Sequence, residues 1–258
     1  MTLSDRYRGA LIGLAVGSAL GAPYRGQSVG SFEVSEDLVD GPWTAHTSRA
    51  IWLAGSLLER REFDSTPGNG SLAWLAPIPM YLIHDGARAK EIATEMSRAA
   101  HEETEAVDAC RYLTGLMVGA LRSESKEALL SDLYSPVYNY WLFQHVALCP
   151  AVDRVARGVY KDKQASELPE TVTAADTFEA ALWAFHGTSD FEEGVLKAVR
   201  LGGDTDATAA VYGQLAGAYY GDANIPMHWR EKVARRQEIE DLAITVMHET
   251  KQGIRHFT

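Results

Sequence analysis

The chain has 258 residues, 46% of them hydrophobic, and a formal net charge of −11 at pH 7. A chain of this length and apolar content can bury a core large enough for one domain, so we expect residues 1–258 to form a single domain. The acidic charge argues against a nucleic-acid partner, because binding to the phosphate backbone requires a basic surface. The composition therefore favours a small molecule or a protein as the partner.

Two features of the sequence bear on where the protein works. No apolar run approaches the roughly 20 residues that a membrane span requires, and Asp5 interrupts the N-terminal charges that could imitate a secretory signal. Cys110 and Cys149 lie in apolar helical patterns without the spacing of a metal site or a redox motif. These observations predict free thiols in a soluble protein of the reducing cytoplasm, with no membrane partner.

Helical periodicity dominates the chain. The first helix is predicted to begin at a Ser4 cap and to be amphipathic. A short run at residues 31–34 is the one strand signal. Further helices are predicted over residues 44–61, 88–100, 105–121, 126–140, 141–159, 174–185, 189–200, from 207 onward, from 226 and over 237–249. The predicted fold class is therefore all-α.

The most informative stretch is residues 201–221, which read LGGDTDATAAVYGQLAGAYYG. Gly202 and Gly203 allow a tight backbone approach, and Asp204 and Asp206 then place two carboxylates where a helix should start. This edge predicts an ion-binding or sugar-binding site. The alternative is a glycine-rich core helix that merely begins with an acidic cap.

The same predicted helix carries a face of small residues. Ala209, Gly213, Gly217 and Gly221 recur at every fourth position, so that one side of the helix is nearly bare backbone. Such a face predicts that the helix packs against a neighbour at very short range.

Separated segments of the chain carry motifs that can be compared with known families. They are RYRGALIGLAVGSALGAPYRG (6–26), WTAHTSRAIWLAGSLLERREFD (43–64), PGNGSLAWLAPIPM (67–80), SRAAHEETEAVDAC (97–110) and DTFEAALWAFHGTSDFEEGVLKAVRLGGDTDATAAVYGQLAGAYYGDANIP (176–226). Together they resemble the ADP-ribosylglycohydrolase family, also called the dinitrogenase-reductase-activating glycohydrolase family. The resemblance implies a compact multi-helix domain whose central cleft holds two Mg²⁺ ions with ADP-ribose bound over them. The implied reaction is hydrolysis of a glycosidic bond to a modified side chain.

The motifs that supply the family's metal ligands depart from the family pattern in this chain. Asp204 and Asp206 match the two aspartates of the last motif. Thr44 and Thr47 match the two threonines of the family's Thr-Asp-Asp-Thr motif. The family's other metal-motif residues are replaced, at Ser18, Arg25, Ala45, His46 and Ala207. Because Mg²⁺ needs a near-octahedral set of oxygens, we expect no bound Mg²⁺ pair and no required cofactor. A single divalent ion is the alternative, and its ligands would be Thr44, His46, Asp204 and Asp206.

The ligand side of the implied cleft is closer to the family pattern. Residues 68–71 keep the glycine-rich turn that the family places near the ribose and phosphates, and His101 matches the family's histidine. Trp74 stands where the family has an arginine, so it could stack on a ring but could not neutralise phosphate. The predicted substrate-binding residues are Arg25, Asn69, Gly70, Ser71, Trp74, His101, Gly202 and Gly203.

The lost acidic residues are replaced in part by basic ones, which keeps the net charge of the implied cleft between about zero and one negative charge. The predicted catalytic residues are Asp204 or Asp206 for water activation and charge stabilisation, and His46 for protonation of the leaving group. Arg25 would hold an anionic substrate. As alternatives, Arg25 is a solvated loop residue and His46 is a helix cap.

Two functions remain open from the sequence. The first is hydrolysis of an N-ribosyl bond, ADP-ribosyl or related, in a small molecule or a protein, by a remodelled site without the dinuclear Mg²⁺ centre. The second is that of a catalytically inactive pseudoenzyme that binds ADP-ribose or a partner protein. The sequence names no substrate for either function.

Overall fold

The computed structural model describes residues 1–35, 37–38, 44–60, 71–100, 103–138, 140 and 147–253. Within these ranges every regular element is helical, which confirms the predicted fold class. The α-helices are α1 (Leu3–Gly21), α2 (Ala45–Arg60), α3 (Pro77–Tyr81), α4 (Gly86–Ala100), α5 (Thr104–Leu121), α6 (Lys126–Leu129), α7 (Pro150–Ala156), α8 (Ala174–His186), α9 (Phe191–Val199), α10 (Thr205–Tyr220), α11 (Met227–Lys232) and α12 (Arg236–Gly253). Short 3-10 turns lie at Ala22–Tyr24, Ser71–Trp74, Ala165–Glu167 and Asp222–Asn224. Among the described helices, none combines the length and apolar character of a membrane span.

The fold is built around the antiparallel pair α1 and α10, which touch backbone to backbone. The facing residues, in order along α1, are Gly9 against Gly217, Gly13 against Gly213, Gly17 against Ala209 and Gly21 against Thr205. A Cβ atom placed on any of the four α1 glycines would overlap the carbonyl oxygen of the facing residue. The small-residue face therefore packs at very short range, as predicted. Gly221 follows the end of α10 with a φ of 80° and continues this contact, because a Cβ atom on Gly9 would lie 2.8 Å from the Gly221 carbonyl carbon.

Helix α1 is the centre of the fold rather than an amphipathic surface helix. Its N-cap residue is Thr2, not the predicted Ser4. The Asp5 amide donates to the Thr2 hydroxyl, and the Asp5 carboxylate accepts from the Thr2 amide. Leu11 and Leu14 are both buried, and so are most positions around the helix. The predicted amphipathic pattern is wrong because neighbouring helices cover α1 on nearly all sides.

The other helices surround this pair. Helices α12 and α2 contact α1, whereas α9, α8 and α5 contact α10. Large side chains that are fully buried come from the start, middle and end of the chain and belong to one apolar cluster: Tyr7, Phe178, Phe185, Phe191, Tyr212 and Trp229. Burial of this aromatic surface contributes substantially to the stability of the fold.

Residues 31–34 form bends and irregular backbone, so the predicted strand is wrong. Side chains close this loop in place of strand pairing. The rings of Tyr24 and Phe32 stack with their centroids 4.9 Å apart, and the Ser35 amide donates to the Tyr24 hydroxyl oxygen at 2.7 Å.

Two predicted helices are much shorter than their apolar patterns indicate. The helix predicted over residues 126–140 ends with α6, because Leu133 has a φ of 50° and Pro136 has no amide hydrogen to donate. In the part of residues 141–159 that the structure describes, the helix is limited to α7, and Gly158 follows it with a φ of 82°.

Candidate functional site

A glycine turn at the start of α10 holds the loop that carries Arg25. Gly202 and Gly203 have φ values of 72° and 70°, in the left-handed region that favours glycine. The Gly203 amide donates to the Gln27 carbonyl and the Gly26 amide donates to the Gly203 carbonyl, both at 2.8 Å. A Cβ atom on Gly202 would lie 2.5 Å from the Gln27 oxygen. The two predicted substrate-binding glycines therefore bring the Arg25 loop, rather than a ligand, against the turn.

Thr171 holds the same turn from the other side and was not predicted from the sequence, because no motif marks it. Its hydroxyl accepts from the Asp204 amide at 2.6 Å and donates to the Gly202 carbonyl at 3.4 Å. Asp204 occupies the N-cap position of α10, but its side chain makes no capping hydrogen bond. The Asp204 carboxyl group is therefore not used as a simple helix cap.

Four of the predicted residues, Arg25, His46, Asp204 and Asp206, meet in a group that we call the carboxylate cluster. The Arg25 Nε atom lies 3.4 Å from Asp204 Oδ1 and 3.5 Å from Asp206 Oδ1. The His46 Nε2 atom lies 3.4 Å from Asp206 Oδ2. The side chains of His46 and Asp206 are 12% and 11% exposed, whereas that of Arg25 is 66% exposed. Arg25 thus contacts the carboxyl groups and remains accessible from outside.

The two carboxyl groups of the cluster share a hydrogen bond and have pKa values shifted in opposite directions. Burial, and then the hydrogen bond and charge of Asp206, raise the pKa of Asp204 to about 6. Burial also acts to raise the pKa of Asp206, but hydrogen bonds from His46 and Asp204 outweigh it and bring that pKa to about 2. Below about pH 6 the pair therefore holds one proton, on Asp204, while Asp206 stays ionised.

Polar atoms of the carboxylate cluster are buried without hydrogen-bond partners. Among the described residues no hydrogen bond reaches His46 Nδ1, Asp204 Oδ1 or Asp206 Oδ1. Because buried polar atoms in proteins are nearly always hydrogen-bonded, these three atoms are an exception that needs an explanation, and the Arg25 guanidinium lies close to two of them.

Hydroxyl groups position His46 at the start of α2. The Thr47 amide donates to Thr44 Oγ1 at 3.3 Å, so Thr44 rather than His46 provides the side-chain cap of the helix. Thr44 Oγ1 also lies 2.7 Å from the hydroxyl oxygen of the buried Ser18. The cap leaves the His46 ring to face Asp206.

A cavity of about 530 Å³ lies beside the carboxylate cluster. Asp204 is part of its wall, together with Ser71 and Thr173 and with two acidic residues, Glu103 and Glu105, near the start of α5. The other three members of the cluster do not line the described wall. Asp204 therefore joins the cluster to a cavity whose size is typical of small-molecule sites.

The structure describes two of the remaining predicted binding residues, Ser71 and Trp74. Ser71 lines the cavity, but it is 1% exposed and its hydroxyl lies 3.2 Å from both the Ser97 hydroxyl oxygen and the Cys110 sulphur. Trp74 is buried in the core with the Arg49 guanidinium 5.9 Å from its ring centre, so its ring offers little surface to a ligand. Three predicted residues lie outside the described ranges: Asn69, Gly70 and His101.

The donors of the carboxylate cluster do not fit the Mg²⁺ pair that the resemblance implies. Among the described residues, the two carboxylates and the imidazole of the cluster and the neighbouring Thr44 and Ser18 hydroxyls supply too few oxygens for two octahedral ions. The Arg25 guanidinium also contacts both carboxylates. In the described part of the chain, no group of three or more His, Cys, Asp or Glu side chains is arranged to hold a metal ion. The alternative of a single ion on Thr44, His46, Asp204 and Asp206 stays a prediction.

Comparisons with known proteins agree on one family. The ADP-ribosylglycohydrolase family model matches residues 1–67 and 64–254. The ADP-ribosylarginine hydrolase Tri1 of Pseudomonas putida is 29% identical over 93% of this chain and 77% of its own length. The ADP-ribosyl-[dinitrogen reductase] glycohydrolase of Rhodospirillum rubrum is 22% identical over 93% of this chain and 94% of its own length. A solved structure described as an ADP-ribosylglycohydrolase-related protein complex matches 96% of this chain and 99% of its own, with 36% identity and a TM-score of 0.83.

Proposed function

Because the chain belongs to the ADP-ribosylglycohydrolase family, we propose that it hydrolyses the N-glycosidic bond of an ADP-ribosyl or related ribosyl group. The relatives named as ADP-ribosylarginine hydrolases favour an arginine nitrogen, in a protein or a small molecule, as the leaving group. The observation that carries the proposal is Asp204, which lines the cavity and is paired with Asp206 behind it, because carboxyl groups are the usual catalysts of glycoside cleavage.

The cavity suits a ribose ring better than a purely apolar ligand. Its wall combines the Asp204 carboxyl group with the side chains of Ser71, Thr173 and Thr177, and Val211 adds apolar surface. Hydroxyl and carboxyl groups of this kind can pair with sugar hydroxyls, while apolar surface excludes water. In the proposal, the anomeric carbon lies next to Asp204.

The closeness of the two carboxyl groups limits the mechanism. Glycosidases that use an acid and a nucleophile on opposite faces of the sugar keep the two groups about 5 Å or more apart. Asp204 and Asp206 share a hydrogen bond, so they act as one unit on one face of the ribose. We therefore expect direct attack by water and no covalent sugar intermediate.

The reaction can be written with this chain's residues and solvent alone. Asp204, ionised above about pH 6, accepts a proton from the attacking water. The water oxygen bonds to the anomeric carbon as the carbon–nitrogen bond breaks, and the electron pair of that bond leaves with the nitrogen. The leaving nitrogen takes a proton from solvent on the opposite face, and Asp204 later releases its own proton to solvent, so the products are a free ribosyl hydroxyl and the unmodified amine or guanidine.

The other members of the carboxylate cluster support this step. Asp206 stays ionised and stabilises the positive charge that develops on the ribose. His46 contacts Asp206 and does not line the described cavity wall, so it acts as a positioning residue for Asp206 rather than as the acid that protonates the leaving group. Arg25, which is largely exposed, binds the anionic part of the substrate.

A turnover assay tests the proposal. We expect the purified protein to release ADP-ribose from an ADP-ribosylarginine peptide, and Asp204→Asn to lower the rate by about 100-fold or more. Asp153→Asn is a matched control, since this exposed aspartate pairs with Arg157 on α7, away from the cavity. The released sugar is measured by chromatography.

The same preparation separates a hydrolase from an inactive binder. A ligand at 100 times its dissociation constant adds about 2.7 kcal/mol of stability, so thermal unfolding with ADP-ribose reports binding without turnover. If ADP-ribose raises the melting temperature but no ADP-ribosyl or ribosyl substrate is cleaved, the hydrolase proposal fails and the pseudoenzyme interpretation replaces it.

A further inference from the structure

The two carboxyl groups of the carboxylate cluster need a positive partner. Their Oδ1 atoms are both buried, and hydrogen bonds from the described residues reach neither atom. Two carboxylates in contact repel each other, and a buried negative charge without a counter-charge is strongly destabilising. The Arg25 Nε atom lies 3.4 Å from Asp204 Oδ1 and 3.5 Å from Asp206 Oδ1, so one guanidinium faces both unpaired oxygens.

The backbone on both sides fixes the position of Arg25. Directly after it, Gly26 and Gln27 exchange hydrogen bonds with Gly203 at 2.8 Å. Directly before it, the Tyr24 ring stacks on Phe32, which closes the loop. Pairing of an arginine on a freely moving loop would cost backbone entropy as well as side-chain entropy, whereas here the backbone is already fixed and only the side chain of Arg25 has to be ordered.

We propose that Arg25 is the resident cation of this site, in the place that a divalent metal ion would otherwise take between Asp204 and Asp206. The inference rests on the proposed function for the identity of the site as the reaction centre. The exclusion of metal does not depend on that function, because a guanidinium in contact with both carboxylates repels a divalent ion and occupies the space that the ion would need. The cluster is therefore complete without metal.

The proposal predicts which single change would create a metal site. Arg25→Glu removes the resident charge and adds a third carboxylate beside Asp204 and Asp206, with the His46 imidazole as a further donor. This mixed oxygen and nitrogen set suits Mn²⁺. Arg25→Lys keeps a positive charge at the position and should keep the metal out. Arg25→Gln removes the charge without adding a ligand and should have an intermediate affinity.

A Mn²⁺ titration followed by electron paramagnetic resonance tests the inference, because it detects bound metal independently of turnover. We expect no saturable binding below a concentration on the order of 1 mM in the wild type or Arg25→Lys. Arg25→Glu should bind at least about 10-fold more tightly, and the added Asp204→Asn change should abolish that binding. The matched control is Arg88→Glu, since Arg88 lies 3.1 Å from Glu91 and 3.9 Å from Glu95 on an exposed helix surface.

Each outcome of the titration decides the inference. Saturable Mn²⁺ binding by the wild type that is lost in Asp204→Asn would overturn it, and so would a folded Arg25→Glu that binds no more tightly than Arg88→Glu. If Arg25→Glu does not fold, Arg25→Gln must still bind Mn²⁺ more tightly than Arg25→Lys. Failure of the proposed function would instead appear as absence of turnover in the wild type, whatever the metal result.

Discussion

Gly213 of α10 lies against the carbonyl oxygen of Gly13 in α1, so closely that a Cβ atom on Gly213 would overlap that oxygen. The same contact repeats at every fourth residue and ends where Gly21 meets Thr205, whose hydroxyl donates to the Gly21 carbonyl at 2.7 Å. The end of α1 is thereby fixed to the start of α10. Arg25, four residues beyond α1, is brought to the carboxyl groups by this packing.

Substitution of Gly213 by alanine should therefore separate the central helices. We expect Gly213→Ala to lower the free energy of unfolding by about 2 kcal/mol or more, since backbone atoms cannot move aside as a flexible side chain can. Gly55→Ala is the matched control, because a Cβ atom on Gly55, inside α2, would meet nothing within 4 Å. It should be stabilising by about 0.5 to 1 kcal/mol. Urea unfolding measures both variants, and equal changes in the free energy of unfolding for Gly213→Ala and Gly55→Ala would show that the close contact is absent.

Thr171→Val tests whether the glycine turn positions Asp204. Valine has the shape of threonine but cannot accept the Asp204 amide hydrogen bond, so the variant should lose about 1 to 3 kcal/mol of stability. Because Asp204 is then poorly placed, we expect kcat to fall about 10-fold with little change in KM. Ser125→Ala removes a comparable amide bond, the cap of α6, and should lower stability without affecting kcat. Unchanged kcat in Thr171→Val would contradict the positioning role.

Lys90 should make the stability of the protein depend on pH. Its side chain is fully buried, with Nζ 3.0 Å from the Ser135 hydroxyl and 3.9 Å from the Tyr140 ring centre. Burial, with a smaller effect from Arg111, lowers its pKa from 10.5 to about 7. The unfolded chain therefore binds more protons above about pH 7, so the free energy of unfolding rises with pH there.

The comparison with Lys90→Met isolates this effect. Between about pH 7 and pH 9 the wild type should gain up to about 1.4 kcal/mol per pH unit relative to the variant. Urea unfolding at several pH values measures both proteins, and contributions from other groups cancel in the difference. A difference that does not change with pH would mean that Lys90 stays protonated in the folded protein up to pH 9 and that burial does not lower its pKa.

Local sequence patterns predicted the helices well where only one face of the helix is buried and where capping residues mark its ends. They failed for α1, since a sequence pattern cannot show that other helices will cover all of its sides. They also failed over residues 130–138, where apolar residues indicated a helix but Pro136 and the left-handed Leu133 break the backbone. That residues 1–258 form one domain in the cytoplasm stays a prediction.

The sequence predicted the charged residues of the site but not the residues that hold them in position. Asp204 and Asp206 stand out by spacing, and Arg25 and His46 by their departure from the family motifs. Thr171 could not be found, because a lone threonine 33 residues before Asp204 gives no signal until the chain is folded. The proposed role of His46 also changed, since only the structure gives its distance from Asp206 and its absence from the described cavity wall.

The pH dependence of turnover tests most directly whether Asp204 and Asp206 act as a coupled pair. For the wild type, kcat/KM on an ADP-ribosylarginine substrate should rise about tenfold per pH unit below pH 6 and level off above it, because Asp204 must be ionised to accept a proton. In Asp206→Asn the maximum should fall, and the rise should move to lower pH since the neighbour that raises the pKa of Asp204 is neutral. A wild-type profile that is flat through pH 6, or a rise that stays in place in Asp206→Asn, would contradict the account.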